Sequence, residues 1–247
     1  MTNDDPRSNL GHTPSITATH RCIHADLMND PIIQTTGLVR DLILLAPGSS
    51  MDLDHPHLAR LAALCEALGL STWRFQFHYR DKGQPFPPGD INVTIQEYEL
   101  QLRSAAEQFP NARLHLGGHS YGARVATHVA AKLVAASDGL KARLRSVITF
   151  SLPVHPAKTP HLKRWNHTND LTLPVCLVSG DRDTLAEPAQ LNALMAQLEN
   201  PLNKLTVLPG TDHGFGQLAK YRQDAEAYAV ATRAVSRFLK TLDQPSH

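Results

Sequence analysis

Apolar positions along this chain fall into two alternating rhythms. Leu42-Ile-Leu-Leu-Ala46 is an unbroken apolar block that stops at Pro47-Gly48. Such a block predicts a strand covered on both faces. Thr72-Trp-Arg-Phe-Gln-Phe77 alternates with period two and is rich in aromatics, so a strand is predicted there as well. Ala112–Leu116, Ser146–Phe150, Pro174–Val178 and Lys204–Leu208 complete six predicted strands. One or two weaker strands are expected between Ile16 and Leu38.

The second rhythm is helical. Leu58, Leu61, Cys65 and Leu68 step by three, four and three, with Gly69 as the stop. Ile91, Ile95, Tyr98, Leu102, Ala105 and Phe109 repeat the pattern between a capping Asp90 and Pro110. Helices are also predicted over Tyr121–Ala136, around Leu191, Leu194, Met195 and Leu198, and along a closing stripe of Tyr221, Ala225, Tyr228, Val235 and Leu239. Gly83–Gly89 holds three prolines and reads as loop, as does Pro153–Leu173. Strands alternating with helices imply a mostly parallel sheet with helices on both faces, an α/β fold. The expected organisation is a flexible tail over residues 1–15 and one α/β domain over 16–247.

Composition narrows the function. The chain has 247 residues, 42% of them hydrophobic and 19% charged, with a formal charge of +1. That charge balance lacks the basic excess of nucleic-acid or membrane-surface binders. No apolar run approaches the roughly 18 residues of a membrane-spanning helix. Three widely spaced cysteines (Cys22, Cys65, Cys176) form neither a disulfide framework nor a CxxC metal site. The amino terminus lacks a secretory leader pattern, so a cytoplasmic protein is expected.

The chemistry concentrates in Gly118-His-Ser-Tyr-Gly122. This G-x-S-x-G string follows a predicted strand and opens a predicted helix, the setting in which a serine is forced onto a sharp, strained turn. A serine hydroxyl needs a general base, and the base needs a carboxylate to fix its tautomer. Gly180-Asp-Arg-Asp183 follows one later strand, and Thr211-Asp-His213 follows another. Serine, acid and histidine thus stand in order on loops at strand carboxyl ends, where open α/β sheets build their sites.

These residues make the chain resemble the α/β-hydrolase superfamily from about residue 40 onward. The likeness is nearest to small dienelactone-hydrolase-like members, in the subgroup of the testis-expressed hydrolase-like protein and the third subunit of the NSL chromatin complex. It is carried by Pro47-Gly-Ser-Ser50 with Asp54-His-Pro56, Arg74–Phe77 with Tyr79-Arg80, Gly117–Arg124, Pro153-Val-His-Pro156, Gly180–Asp183 and Asp212-His213. Bacterial members usually open the first loop with His-Gly, where this chain has Pro47-Gly48. The resemblance implies an α/β-hydrolase fold with a minimal lid or none, because some twenty residues at Pro153–Leu173 stand where larger relatives insert one. It implies Ser120 as nucleophile, His213 as base and Asp183, in preference to Asp181, as orienting acid. The backbone N–H groups of Ser49 and Tyr121 would form the oxyanion hole.

Further expectations attach to single residues. Tyr79 and Arg80 could reach the site, Arg80 to bind a substrate carboxylate or phosphate; its competing role is an ion pair with Asp81 or another loop acid. His55 and His57 make a weak metal pair, and His155, His161 and His167 are expected to be scattered and solvated. Lys141, Arg143 and Arg145 are read as a solvated connection. No metal or organic cofactor is expected, and the expected partner is a small ester or thioester. The alternative is a fold retained as a protein-interaction module; hydrolysis and reaction with peroxide would use the same three residues.

Overall fold

The computed structural model describes residues 30–35, 37–136, 139–217 and 222–244. The expected tail, Cys22 and Tyr221 lie outside these residues.

The sheet is organised around the apolar block, which forms strand β2 (Asp41–Ala46). Leu42, Leu44 and Ala46 face one half of the core, while Ile43 and Leu45 face the other. Opposite faces of one strand therefore feed two separate cores, and an unbroken apolar run is what that requires. The other strands are β1 (Ile32–Gln34), β3 (Ser71–Arg74), β4 (Arg113–His119), β5 (Leu144–Phe150), β6 (Val175–Gly180) and β7 (Lys204–Leu208). Their spatial order is β1-β3-β2-β4-β5-β6-β7. All neighbours are parallel except β1, which pairs antiparallel with β3.

Helix α1 (Pro56–Ala67) and the last helix, α6 (Ala225–Leu242), cover one face. The opposite face is covered by α3 (Ile91–Gln108), α4 (Tyr121–Ala135) and α5 (Pro188–Met195). A single turn, α2 (His78–Asp81), follows β3. Helix starts match their caps: the Asp90 and Asp224 carboxylates accept from the N–H groups of Asn92 and Glu226, both at 2.9 Å. No helix among the described residues is long and apolar enough to cross a membrane.

Two predicted strands change length for physical reasons. The strand predicted over Thr72–Phe77 leaves the sheet at Arg74, whose partner Leu45 lies one residue before the end of β2. Beyond it the ladder has no neighbour, and Phe75 and Phe77 pack edge-on to each other in the core instead. Conversely, β4 continues through Gly117 and Gly118, residues of low strand propensity. A β-carbon on Gly117 would stand 2.8 Å from the Ile148 carbonyl oxygen, so the crowded centre of the sheet selects glycine there. The Tyr98 hydroxyl, fully buried, lies 2.9 to 3.1 Å from Gly117 N and from the carbonyls of Leu44 and Gly117, pinning β2 beside β4.

A short hairpin, β8 (Gly216–Gln217) with β9 (Arg222–Gln223), was not anticipated. The basic run faces solvent, with none of Lys141–Arg143 buried, and its charges are also engaged. Lys141 donates to the Val134 carbonyl, and Arg143 reaches the carbonyls of Ala106, Phe109 and Ala112 at the end of α3. Helix carbonyls left without intrahelical partners attract such cations. The Pro153–Leu173 segment forms no lid domain. It lies along α4, contributes a 3-10 turn at Asn166–Asp170, and buries Trp165, whose Nε1–H donates to Gln197 at 3.0 Å.

Candidate active site

Ser120 occupies the one-residue step between β4 and α4, with φ 52° and ψ −117°. A non-glycine residue in that region carries strain of about 1–3 kcal/mol. It is held there from both sides, its N–H donating to the Phe150 carbonyl at 2.9 Å and its carbonyl accepting from Arg124 N at 3.0 Å. The turn is tight enough to exclude side chains on its flanks. A β-carbon on Gly118 would meet the Ala46 oxygen at 2.7 Å, and one on Gly122 would meet it at 2.3 Å.

The loop after β7 delivers His213. Its shape comes from Asp212, whose carboxylate accepts from Gly214 N and Gly216 N, both at 2.9 Å. The loop after β6 delivers Asp183, and the two loops are stitched by Arg182 N donating to the Thr211 carbonyl at 2.9 Å. Gly180 permits that contact, since a β-carbon there would stand 2.2 Å from the Thr211 oxygen.

Three residues from three loops meet in one hydrogen-bonded chain. The Ser120 hydroxyl lies 2.7 Å from His213 Nε2, and His213 Nδ1 lies 2.7 Å from Asp183 Oδ2. The Asp183 carboxylate is buried and accepts further bonds from Ser179 Oγ at 3.2 Å and Leu185 N at 2.9 Å. A carboxylate on Nδ1 keeps the proton there, which leaves Nε2 free to accept from the serine. The His213 side chain is 27% exposed, so the serine end opens to solvent while the acid end is dry. Asp181 is exposed, and its backbone N–H supports the turn by donating to the Leu208 carbonyl at 3.1 Å.

Behind His213 stand two buried rings: His119, which sequence reasoning left aside, and His57, which it read as half of a weak metal pair. His119 donates from Nε2 to the His213 carbonyl at 3.0 Å, and the His57 ring packs edge-on against His119 at 4.5 Å. Burial, helped by neighbouring histidines, holds both below the usual histidine range, His57 at about 3. Both are neutral at pH 7, so His213 faces no second cation from behind. His57 is bonded to the Tyr228 hydroxyl, and His55 Nδ1 caps α1 by accepting from His57 N at 3.2 Å. These are structural tasks, and among the described residues no group of three or more His, Cys, Asp or Glu is arranged to hold a metal.

The other expected residues divide into open and engaged groups. Ser49 and Tyr121 give their N–H groups to no acceptor among the described residues. Tyr79 is buried, and its hydroxyl donates to the Ser49 carbonyl at 2.7 Å, fixing that loop rather than facing a ligand. Arg80 pairs with Asp52 at 2.7 Å, a loop acid other than the neighbouring Asp81. His155 and His167 are not solvated. His155 bridges Glu187 at 2.8 Å and the Pro156 carbonyl at 2.7 Å, and His167 stacks on His128 with ring centroids 3.4 Å apart. Cys65 and Cys176 are buried, and burial pushes the Cys176 thiol up to about 12.

Solved structures share this arrangement of chain. An alpha-beta serine hydrolase homologue from Coxiella burnetii superposes with a TM-score of 0.64 at 18% identity, over 85% of this chain and 90% of that one. XC6422 from Xanthomonas campestris, described as an a/b serine hydrolase without lid, gives 0.63 at 17%, over 90% and 95%. A dienelactone hydrolase from Anabaena variabilis gives 0.63 at 16%, over 85% and 89%. Residues 39–241 match the family model described as an alpha/beta hydrolase domain. The fold, the sheet order and that match together make the chain a member of the alpha/beta hydrolase family.

Proposed function

We propose that the protein is a serine hydrolase that cleaves a small carboxylic ester or thioester. The observation that carries this reading is the continuous Ser120–His213–Asp183 chain, with both links at 2.7 Å, on a strained turn. Ser120 Oγ attacks the acyl carbonyl as its proton passes to His213 Nε2. The Asp183 carboxylate stabilises the imidazolium. The N–H groups of Ser49 and Tyr121 hold the oxyanion, Tyr121 from the amino-terminal end of α4, where the helix dipole favours negative charge. The leaving alkoxide or thiolate takes the proton from Nε2. Water then attacks the acyl-enzyme, gives its proton to the same nitrogen, and releases the acid with the serine restored. Nothing in this cycle calls for a metal or an organic cofactor.

The solved relatives described as serine hydrolases and as a dienelactone hydrolase support this direction. The motifs Gly117–Arg124 and Pro153–Pro156 support the narrower grouping with the testis-expressed and NSL-complex proteins. Labelling with a fluorophosphonate probe tests the reading. The wild type should label, and Ser120→Ala and His213→Ala should not. A well-folded wild type that fails to label would overturn it in favour of an interaction module.

A further inference from the structure

The first turns of α4 carry an unpaired charge. Tyr121, Arg124 and His128 are spaced by three and four residues and so share one side of the helix. Helical side chains lean toward the amino terminus, which for Arg124 is the end of α4 that carries Tyr121 and Ser120. Arg164 joins it from the Pro153–Leu173 segment. That segment is tied to the acid loop: Arg164 N donates to the Val154 carbonyl, Val154 N donates to the Leu185 carbonyl, both at 2.9 Å, and Leu185 N donates to Asp183. Tyr121, its ring packed on Phe77 and its hydroxyl bonded to Thr94 at 2.7 Å, lies within electrostatic reach of both arginines.

Neither arginine has a carboxylate partner among the described residues, and Arg124 Nε is buried without any hydrogen-bond acceptor. Arg74 also leaves its Nε unbonded, but its terminal nitrogens donate to the Leu53 carbonyl and the Gln34 amide oxygen, and other half-buried or paired arginines are engaged as well. Arg80 holds Asp52, Arg113 holds Asp41 and Asp243, and Arg143 holds three backbone carbonyls. Burial and repulsion from Arg164 press on Arg124, and burial keeps the Tyr121 phenol protonated, so it supplies no counter-charge. The adjacent His128 and His167 are held neutral by burial and supply no anion. Two half-buried like charges with an unsatisfied donor are costly unless an anion completes them. Guanidinium forks match a carboxylate in bidentate geometry.

We propose that Arg124 and Arg164 form an anion subsite beside Tyr121 that selects esters carrying a free carboxylate. The proposal rests on the hydrolase reading for its reaction and on the unpaired arginines for its specificity.

The test compares the mono-p-nitrophenyl ester of adipic acid with p-nitrophenyl hexanoate, an ester of equal length without the charge. The wild type should favour the adipate ester by at least about tenfold in kcat/KM, and that ratio should fall about tenfold or more in Arg124→Gln and in Arg164→Gln. A wild-type ratio near one, or a ratio unmoved by both variants, overturns the subsite. Calorimetric titration of Ser120→Ala with adipate and with inorganic phosphate reads the subsite without catalysis. Saturable adipate binding, weakened about tenfold by adding Arg124→Gln, supports it; tighter binding of phosphate, or no binding, overturns the carboxylate assignment. Should the wild type cleave neither ester while Ser120→Ala still binds adipate, the hydrolase reading fails and the anion site stands. The wild-type ratio, and adipate binding to Ser120→Ala alone, need no folded arginine variant.

Discussion

The two ends of strands β2 and β4 handle buried polarity in opposite ways. At their amino ends, Arg113 forks onto both Asp41 oxygens at 2.6 Å and reaches Asp243 at 2.8 Å. His115, buried in the sheet, joins Asp41 at 3.1 Å and Ser146 at 2.8 Å. Burial works against the Asp41 carboxylate, yet the bonds from His115 and Arg113 outweigh it and hold its pKa far below the carboxylate range. At the carboxyl ends, a few residues away along the same strands, a serine is strained and, among the described residues, two N–H groups lack acceptors and two nearby arginines lack acids. One end satisfies its charges and stabilises the sheet. The other leaves groups unsatisfied, and those are the groups a substrate can complete. Burial alone separates the ends poorly; the pairing of each buried group separates them well.

The sharpest way to test that contrast is to remove one carboxylate at the reactive end. Asp183→Asn should lower kcat by about 10⁴-fold by delivering the wrong histidine tautomer, whereas Asp181→Asn should stay within about twofold, because its side chain is exposed. Steady-state kinetics on an activated ester separates the two. Equal losses would mean that either acid can serve.

Steric filling of the turn comes next. Gly122→Ala forces a β-carbon into the Ala46 carbonyl at 2.3 Å and should cost about 1–3 kcal/mol or more, with loss of probe labelling. Gly210→Ala, at φ 72° in open space, should cost only about 1 kcal/mol. Denaturant unfolding measures both.

At the amino end, Asp41→Asn should cost about 1–3 kcal/mol while labelling persists. The sign of its pH dependence follows from the depressed pKa. Its contribution is complete above the unfolded value of 3.8 and is lost as pH falls through that range. The variant's unfolding free energy should therefore fall less than the wild type's on acidification below about pH 4.

The buried histidines act at milder pH. His57 and His167 are lowered to about 3 and His128 to about 4, from 6.5. Between those limits the unfolded chain binds more protons, so stability should decline as pH drops from about 6.5 toward 4. His57→Gln should flatten that slope in a series of thermal melts. The smallest effect is expected at the exposed Arg80–Asp52 pair, where Arg80→Ala should cost about 0.2–1 kcal/mol. A loss of tenfold or more in kcat/KM for the adipate ester in that variant would return Arg80 to the substrate site.

Much of the frame was legible residue by residue. The block from Leu42 to Ala46, the Asp90 cap and the 3.6-residue stripes of α1 and α3 are local signals, and the elements form where they predict. The six predicted strands are all present. Boundaries moved where the deciding partner is distant in sequence. The end of β2 terminates β3, and the neighbours of β4 carry it through two glycines. The candidate serine, histidine and acid were legible because the chain order and the strand-turn-helix setting are themselves sequence properties.

The roles of Tyr79, His155 and His167 were not legible, because each depends on which partner lies within 3 Å after folding, whereas for Arg80 the expected pairing with a loop acid holds and only the choice of Asp52 needed the fold. The same holds for Arg124 and Arg164, separated by forty positions in the chain and joined only when the Pro153–Leu173 segment lies along α4. Periodicity, caps and glycine placement are properties of neighbours in sequence, so the sequence by itself determined the element types, the α/β class, the candidate serine and the candidate histidine, while Asp181 and Asp183 were separated by the family resemblance and by the folded geometry. Distance and desolvation belong to neighbours in space. Only the tertiary structure decided which charges were cancelled and which donors were left open, among them Arg124 Nε beside the candidate serine's helix.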